Sequence, residues 1–141
     1  MNLCPCGARG DPAARCSCAP ERVHRYREKL SRALLDRFDL SLAVPRPRGT
    51  ELAGPAGEAS AAVSERVAGA RRRLTDTPPP LNENARDLLT RAVERLPLSG
   101  RGRARVGRVA ATVAALAGAE EIAPEHLAEA LSYRPPRELT E

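Results

Sequence analysis

Bulky core-forming side chains are scarce in this chain: one Phe, two Tyr, one Met and no Trp in 141 residues. The 42% hydrophobic share therefore leans on Ala, Leu and Val, and the core it can build is thin, with little margin over chain entropy. The same shortage disfavours a platform on which successive nucleic-acid bases stack. Lysine is also nearly missing; Lys29 stands alone, and arginine carries the rest of a formal net charge of +5. Such a balance fits a polyanionic partner, or a coding bias in which Arg, Ala, Gly and Pro rise together. Where the arginines sit is therefore more informative than their number. No run is long and apolar enough to cross a bilayer. No charged segment followed by an apolar run opens the chain, so no secretory signal is read. A cytoplasmic location is expected, and in that reducing compartment four cysteines are thiols or metal ligands before they are disulfides.

A Gly-x₄-Gly-Lys-Ser/Thr loop does not occur, and no apolar run ends in paired acidic residues. These elements cradle phosphates and hold magnesium in nucleotide hydrolases. The chain is not expected to hydrolyse ATP by itself.

Residues 1–20 carry Pro5, Gly7, Gly10, Pro12 and Pro20 and read as a compact loop. A helix is expected from Glu21 to about Leu30, with Val23, Tyr26 and Leu30 at helical spacing. Ser31 can cap a second short helix holding Leu34 and Leu35. Phe38, Leu40, Leu42 and Val44 then alternate with Asp39, Ser41 and Ala43, which predicts a strand. A lone strand cannot make a sheet with itself, so this one needs neighbours from elsewhere. Residues 45–57 read as a Pro- and Gly-rich linker. Helices follow over 58–74, from Asn82 or Asn84 to Leu96, from a Ser99 cap to Leu116 with Gly118 as C-cap, and from Pro124 onward. The tail from Arg134 reads as disordered. The fold class is mainly α: residues 1–44 with one strand, a linker over 45–57, and a helical part over 58–134; the resemblance described below makes the first part the end of an α/β core.

All four cysteines fall in the opening loop, as Cys4-x-Cys6 and Cys16-x-Cys18. Two thiol pairs on a flexible loop can place four sulfurs around one ion, and zinc takes four thiolates tetrahedrally. The C-x-C spacing is tighter than the common C-x₂-C of zinc sites. Zinc ligation, free or redox-active thiols and a disulfide pair all remain open from the spacing. A structural role is expected, because no His or Glu nearby is placed as a base for a metal-bound water.

Several segments together resemble one family. Met-Asn-Leu-Cys-Pro-Cys-Gly, followed by Gly-Asp and Cys-Ser-Cys, resembles the cysteine-bearing segment of ComM/YifB proteins, which are magnesium-chelatase-like AAA+ ATPases. That family usually has Pro where Leu3 stands. Leu34-Leu35-Asp36-Arg37-Phe38-Asp39-Leu40 is similar to a signature shared with magnesium-chelatase ATPase subunits and MCM helicases. Leu98-Ser99-Gly100-Arg101 and the segment from Ile122 to Arg134 resemble the family's helical lid. The resemblance implies the C-terminal end of an AAA+ core followed by its lid, with the phosphate-cradling parts lying upstream. It implies that Asn2 is the sensor-1 residue, Arg37 an arginine finger and Arg101 the sensor-2 residue that contacts ATP. It further implies ATP and Mg²⁺ as cofactors in a complete assembly, a homo-hexamer, DNA as partner, no membrane, and ATP-driven DNA remodelling or branch migration in natural transformation.

Each role has a plainer rival. Asn2 is also an ordinary turn residue, Arg37 a local ion pair with Asp36 or Asp39, and Arg101 one member of a solvated arginine face. The run Arg71–Arg73 reads as the basic end of a helix, favourable against its dipole. Two other functions compete with the ATPase part. One is a standalone zinc-stabilised basic module that holds nucleic acid through Arg22, Arg25, Arg32 and residues 71–73, with steep salt dependence. The other is a non-functional remnant.

Overall fold

The computed structural model describes residues 2–76, 78–96 and 98–135, with the side chain of Arg32 outside that set. The described residues divide into two compact units: Met1–Leu35 with Leu42–Pro55, and Asp36–Ser41 with Ala56–Arg134.

The first unit opens with the cysteine loop. Gly7 and Gly10 adopt φ of 80° and 86°, a left-handed conformation that glycine alone takes without strain. Pro20 begins α1 (Pro20–Arg27) where its missing N–H costs nothing. The helix stops before Leu30, because Leu30 N–H turns back to the Arg27 carbonyl at 2.9 Å. Ser31 caps α2 (Arg32–Leu35) as expected, its hydroxyl accepting from Leu34 N–H at 3.1 Å. The expected linker 45–57 contains one further turn of helix, α3 (Gly49–Leu52), started by the Glu51 carboxylate accepting from Arg48 N–H at 2.8 Å. Among the described residues of this unit only Cys4, Val23 and Leu35 are buried apolar side chains.

The second unit contains α4 (Ser60–Asp76), α5 (Glu83–Arg95), α6 (Gly100–Ala117) and α7 (Pro124–Ser132). Its helix starts are those the sequence predicts. Asn82 accepts from Ala85 N–H at 2.9 Å, and Ser99 accepts from Gly102 N–H at 2.9 Å. Gly118 closes α6 at φ 73°. Pro97, expected to end α5, lies outside the described residues; the helix is already complete at Arg95. Helix α6 presents Val106, Val109, Ala110 and Ala114 on one stripe, and this stripe packs with Leu89, Ile122, Leu127 and Ala130 to form the core. Helices α4 and α7 both pack on α6, and α5 packs on α7. A single parallel bridge between Leu81 and Ile122 ties the approaches to α5 and α7. Ile122 N–H donates to the Pro80 carbonyl at 2.7 Å, and Asn82 N–H donates to the Ile122 carbonyl at 3.1 Å.

The architecture is mainly helical, as expected for a helical lid, but the strand expected at 38–44 does not form. No strand ladder is available to it among the described residues. Within residues 36–41 the backbone turns to helix ends instead: the Phe38 carbonyl accepts from Arg134 and Ser41 N–H donates to the Tyr133 carbonyl at 2.8 Å. Arg134, expected to begin a disordered tail, is thus part of the packed unit. No helix among the described residues is long and apolar enough to cross a membrane.

Leu127 is fully buried, whereas Leu52 is 73% exposed. Truncating a buried leucine removes transfer energy and leaves a cavity, so Leu127→Ala is expected to cost about 2–5 kcal/mol. Leu52→Ala is expected to stay within about 0.5 kcal/mol of wild type. Urea unfolding followed by far-UV circular dichroism measures both, and equal costs would contradict the core described above.

Candidate metal centre and arginine site

The cysteine loop gathers its four thiols by local turns. Gly7 N–H donates to the Cys4 carbonyl at 3.1 Å, and Asp11 N–H and Ala14 N–H make successive turns that bring Cys16 and Cys18 back toward the first pair. The Cys4 and Cys6 sulfurs lie 3.3 Å apart, Cys4 and Cys16 3.6 Å, and Cys6 and Cys16 3.8 Å. All four sulfurs are within 4.8 Å of one another, and all four cysteines are free thiols. Tetrahedral bonds of about 2.3 Å place zinc-bound sulfurs about 3.8 Å apart. The separations in the cage bracket that value.

Charge in the cage is unevenly shared. Burial pushes the Cys4 thiol up, but the hydrogen bonds from Cys6, the Arg9 backbone and Cys16 outweigh it and bring it down to about 6. Cys16 gains from the Cys18 backbone hydrogen bond, yet burial and its bonds to the Cys4 and Cys6 sulfurs push it up to about 11. One thiolate forms easily because neighbouring thiols donate to it; further thiolates then meet that negative charge. A divalent cation removes the conflict by holding every sulfur as a thiolate. Asn2 belongs to the same unit, exposed, with its carboxamide against Gly7: a Cβ on Gly7 would come within 3.2 Å of Asn2 Nδ2.

The second unit holds both other predicted site residues. Arg37 is exposed on the turn at 36–37, and Arg101 is exposed in the first turn of α6. The acidic neighbours of Arg37 are engaged by distant arginines. Asp36 Oδ2 accepts from the Ser99 hydroxyl at 2.8 Å, and Asp36 Oδ1 accepts from Arg134 Nη2 at 3.2 Å. The Ser99 oxygen meanwhile accepts from Gly102 N–H, so serine, carboxylate and helix start form one chain of hydrogen bonds. A carboxylate there also meets the positive end of the α6 dipole. Asp39 Oδ1 accepts from Arg105 at 2.8 Å and Arg108 at 3.1 Å. Arg108 first, and Arg105 with it, hold the Asp39 carboxyl below its usual range. Asp39 is about half exposed, so solvent screens this pair.

Sequence reasoning passed over Asp36, Asp39, Arg105 and Arg134 as site-building residues. Asp36, Asp39 and Arg134 lie in the segments that carry the family resemblance, but their pairing left no local signal, since their partners lie more than sixty residues away along the chain. Of the run 71–73, Arg73 lies in the last turn of its helix, which continues to Asp76. Arg73 donates to the Ala115 carbonyl at 3.2 Å and so serves the C-terminus of α6. Arg22 and Arg25 are exposed on α1, and the Arg32 side chain lies outside the described residues.

Residues 1–52 match the family described as magnesium chelatase, subunit ChlI, and residues 73–134 match the family of that subunit's C-terminal part. Competence protein ComM of Haemophilus influenzae is 36% identical over 82% of this chain. Protein YifB of Salmonella typhimurium is 38% identical over 83% of it. The chain spans 26% of the length of each of these two relatives. An uncharacterized protein of Mycobacterium tuberculosis is 37% identical over 94% of this chain and 30% of its own length.

The cage predicts one equivalent of zinc after purification without chelator, measured by elemental analysis, with affinity that rises with pH as thiolates form. Cys4→Ser is expected to abolish that equivalent. Less than half an equivalent in the wild-type chain, with four titratable thiols, would count against the centre.

Proposed function

The chain belongs to the magnesium-chelatase-like family of ComM and YifB proteins, and from that premise we propose that it is the C-terminal part of an AAA+ ATPase that remodels DNA. The observation that carries this reading is the exposed Arg37, standing on a turn whose flanking residues are fastened to helices α6 and α7. A guanidinium is suited to a phosphate that changes charge during transfer: it stays ionised and binds two oxygens in a fork. Arg37 in this reading reaches the γ-phosphate held by a neighbouring subunit. Arg101 contacts nucleotide on its own subunit from the first turn of α6, and Asn2 orients the attacking water as sensor 1, its carboxamide both donating and accepting. Magnesium and ATP belong to the complete assembly, where the ion bridges phosphate oxygens and offsets their charge. The 141 residues contain no phosphate-cradling loop of their own, so the chain by itself does not turn over ATP. The reading includes a homo-hexamer, a DNA partner and a role in branch migration during natural transformation; the competence role in the name of the relative ComM supports a DNA-related function.

The cysteine centre acts in this reading as a structural staple for a unit with three buried apolar side chains among its described residues. Of the arginines in the competing basic-module reading, Arg73 is engaged by the Ala115 carbonyl, whereas Arg22, Arg25, Arg71 and Arg72 are exposed.

In the full-length ATPase, Arg37→Ala is expected to lower turnover by about 10³-fold or more, the range typical of arginine fingers, while nucleotide binding survives. Steady-state ATPase assays and equilibrium binding of a fluorescent nucleotide measure the two. Wild-type hydrolysis by the variant would remove the finger assignment.

A further inference from the structure

Arg134 spans the residue that the preceding reading places at a neighbour's phosphate. Its Nη2 donates to Asp36 Oδ1 at 3.2 Å, and its Nη1 donates to the Phe38 carbonyl at 3.2 Å. One planar guanidinium therefore holds the residues on both sides of Arg37. The Arg134 side chain is 14% exposed and that of Asp36 23%, so this pair is better shielded from solvent than an ordinary surface ion pair. The fastening extends outward from there. The Ser99 hydroxyl takes the second Asp36 oxygen, Tyr133 accepts from Ser41 N–H, and Arg105 and Arg108 hold Asp39. Within residues 36–41, the side chains of Asp36 and Asp39, the Phe38 carbonyl and the Ser41 N–H are each tied to α6, its Ser99 cap or the end of α7.

A close approach at the start of α6 makes room for this arrangement. A Cβ at Gly102 would stand 3.4 Å from Asp36 Oδ1 and 3.6 Å from Arg134 Nη2. The helix start, the carboxylate and the guanidinium meet at a position where glycine leaves space for them.

We propose that Arg134 is a positioning residue for Arg37, fixing the backbone on either side of it through the Asp36 carboxylate and the Phe38 carbonyl. The inference rests on the arginine-finger reading of Arg37 and adds the element that aims it. A fork is required: lysine carries the same charge but is a point donor without the planar two-pronged geometry. The lid helices and the finger segment then move as one body, so displacement of the lid is transmitted to the trans-acting arginine.

The test compares Arg134→Lys, Asp36→Asn and Arg37→Ala. In the full-length ATPase, Arg134→Lys is expected to lower kcat on the order of tenfold, as small misplacements of a catalytic group do, with KM for ATP unchanged. In the 141-residue chain, the same substitution is expected to speed amide hydrogen exchange at Ser41, with exchange in the centre of α6 unchanged. Asp36→Asn is expected to reproduce both effects. Loss of turnover in Arg37→Ala together with wild-type turnover in Arg134→Lys would overturn the positioning role and leave the finger reading intact. Wild-type turnover in Arg37→Ala would overturn both. Reduced turnover in Arg134→Lys with unchanged exchange at Ser41 would also overturn the proposal, because Arg134 would then act by another route.

Discussion

The burial of one alanine- and valine-rich stripe on α6 governs the larger unit. Val106, Val109, Ala110 and Ala114 meet Leu89, Ile122, Leu127 and Ala130, and the buried apolar set contains no aromatic side chain. Small side chains let helices approach closely but supply little apolar area each. Such a core leaves direction and register to polar contacts at the helix ends. Asn82, Ser99 and Gly118 set where helices begin and stop, and Arg73 satisfies a carbonyl near the end of α6. The other unit takes the same problem further. Among its described residues Cys4, Val23 and Leu35 are the buried apolar side chains, and four sulfurs gather within 4.8 Å of one another.

The polar contacts have two different energetic characters. Asp39 and Arg108 are about half exposed or more, and their attraction is weak and salt-sensitive. Asp36 and Arg134 are shielded, and each has a second hydrogen-bond partner, Ser99 for the carboxylate and the Phe38 carbonyl for the guanidinium. Shielding without satisfaction would be costly. Here each partner has a second hydrogen bond, which offsets part of that cost and makes the joint specific. The exposed pair steers the segment, and the shielded pair sets its geometry.

Much of this was legible in the chain itself, because helix termini are written locally. Asn82, Ser99, Gly118 and Pro124 are residue types whose backbone and side-chain chemistry select those positions, and each stands where its chemistry places it. The four cysteines are close in sequence, so their clustering needed only a flexible loop. Residues 38–44 misled for a physical reason. Alternation of apolar and polar residues satisfies the strand period, but a strand needs a ladder, and the backbone groups of Phe38 and Ser41 found helix ends instead. The roles of Asp36 and Arg134 were illegible because a pair separated by 98 positions leaves no periodic trace. A local reading set Asp36 beside its neighbour Arg37, and placed Arg134 at the junction of the lid segment and the tail.

Helix α6 is unevenly built along its length. Its first turn contains Gly100 and Gly102, each about 1 kcal/mol poorer than alanine in a helix, while its second half is the alanine-rich sequence Ala110-Ala111-Thr112-Val113-Ala114-Ala115. Intrinsic propensity therefore favours the second half of the helix over its opening turn. The opening turn gains its support from Ser99 and the Asp36 carboxylate, which must first be brought together across 63 positions of chain. Loop closure over that distance is slow compared with helix growth. The turn that carries Arg101 thus has a local support, the Ser99 cap on Gly102, and a long-range one that is complete only when the segment bearing Arg37 is in place.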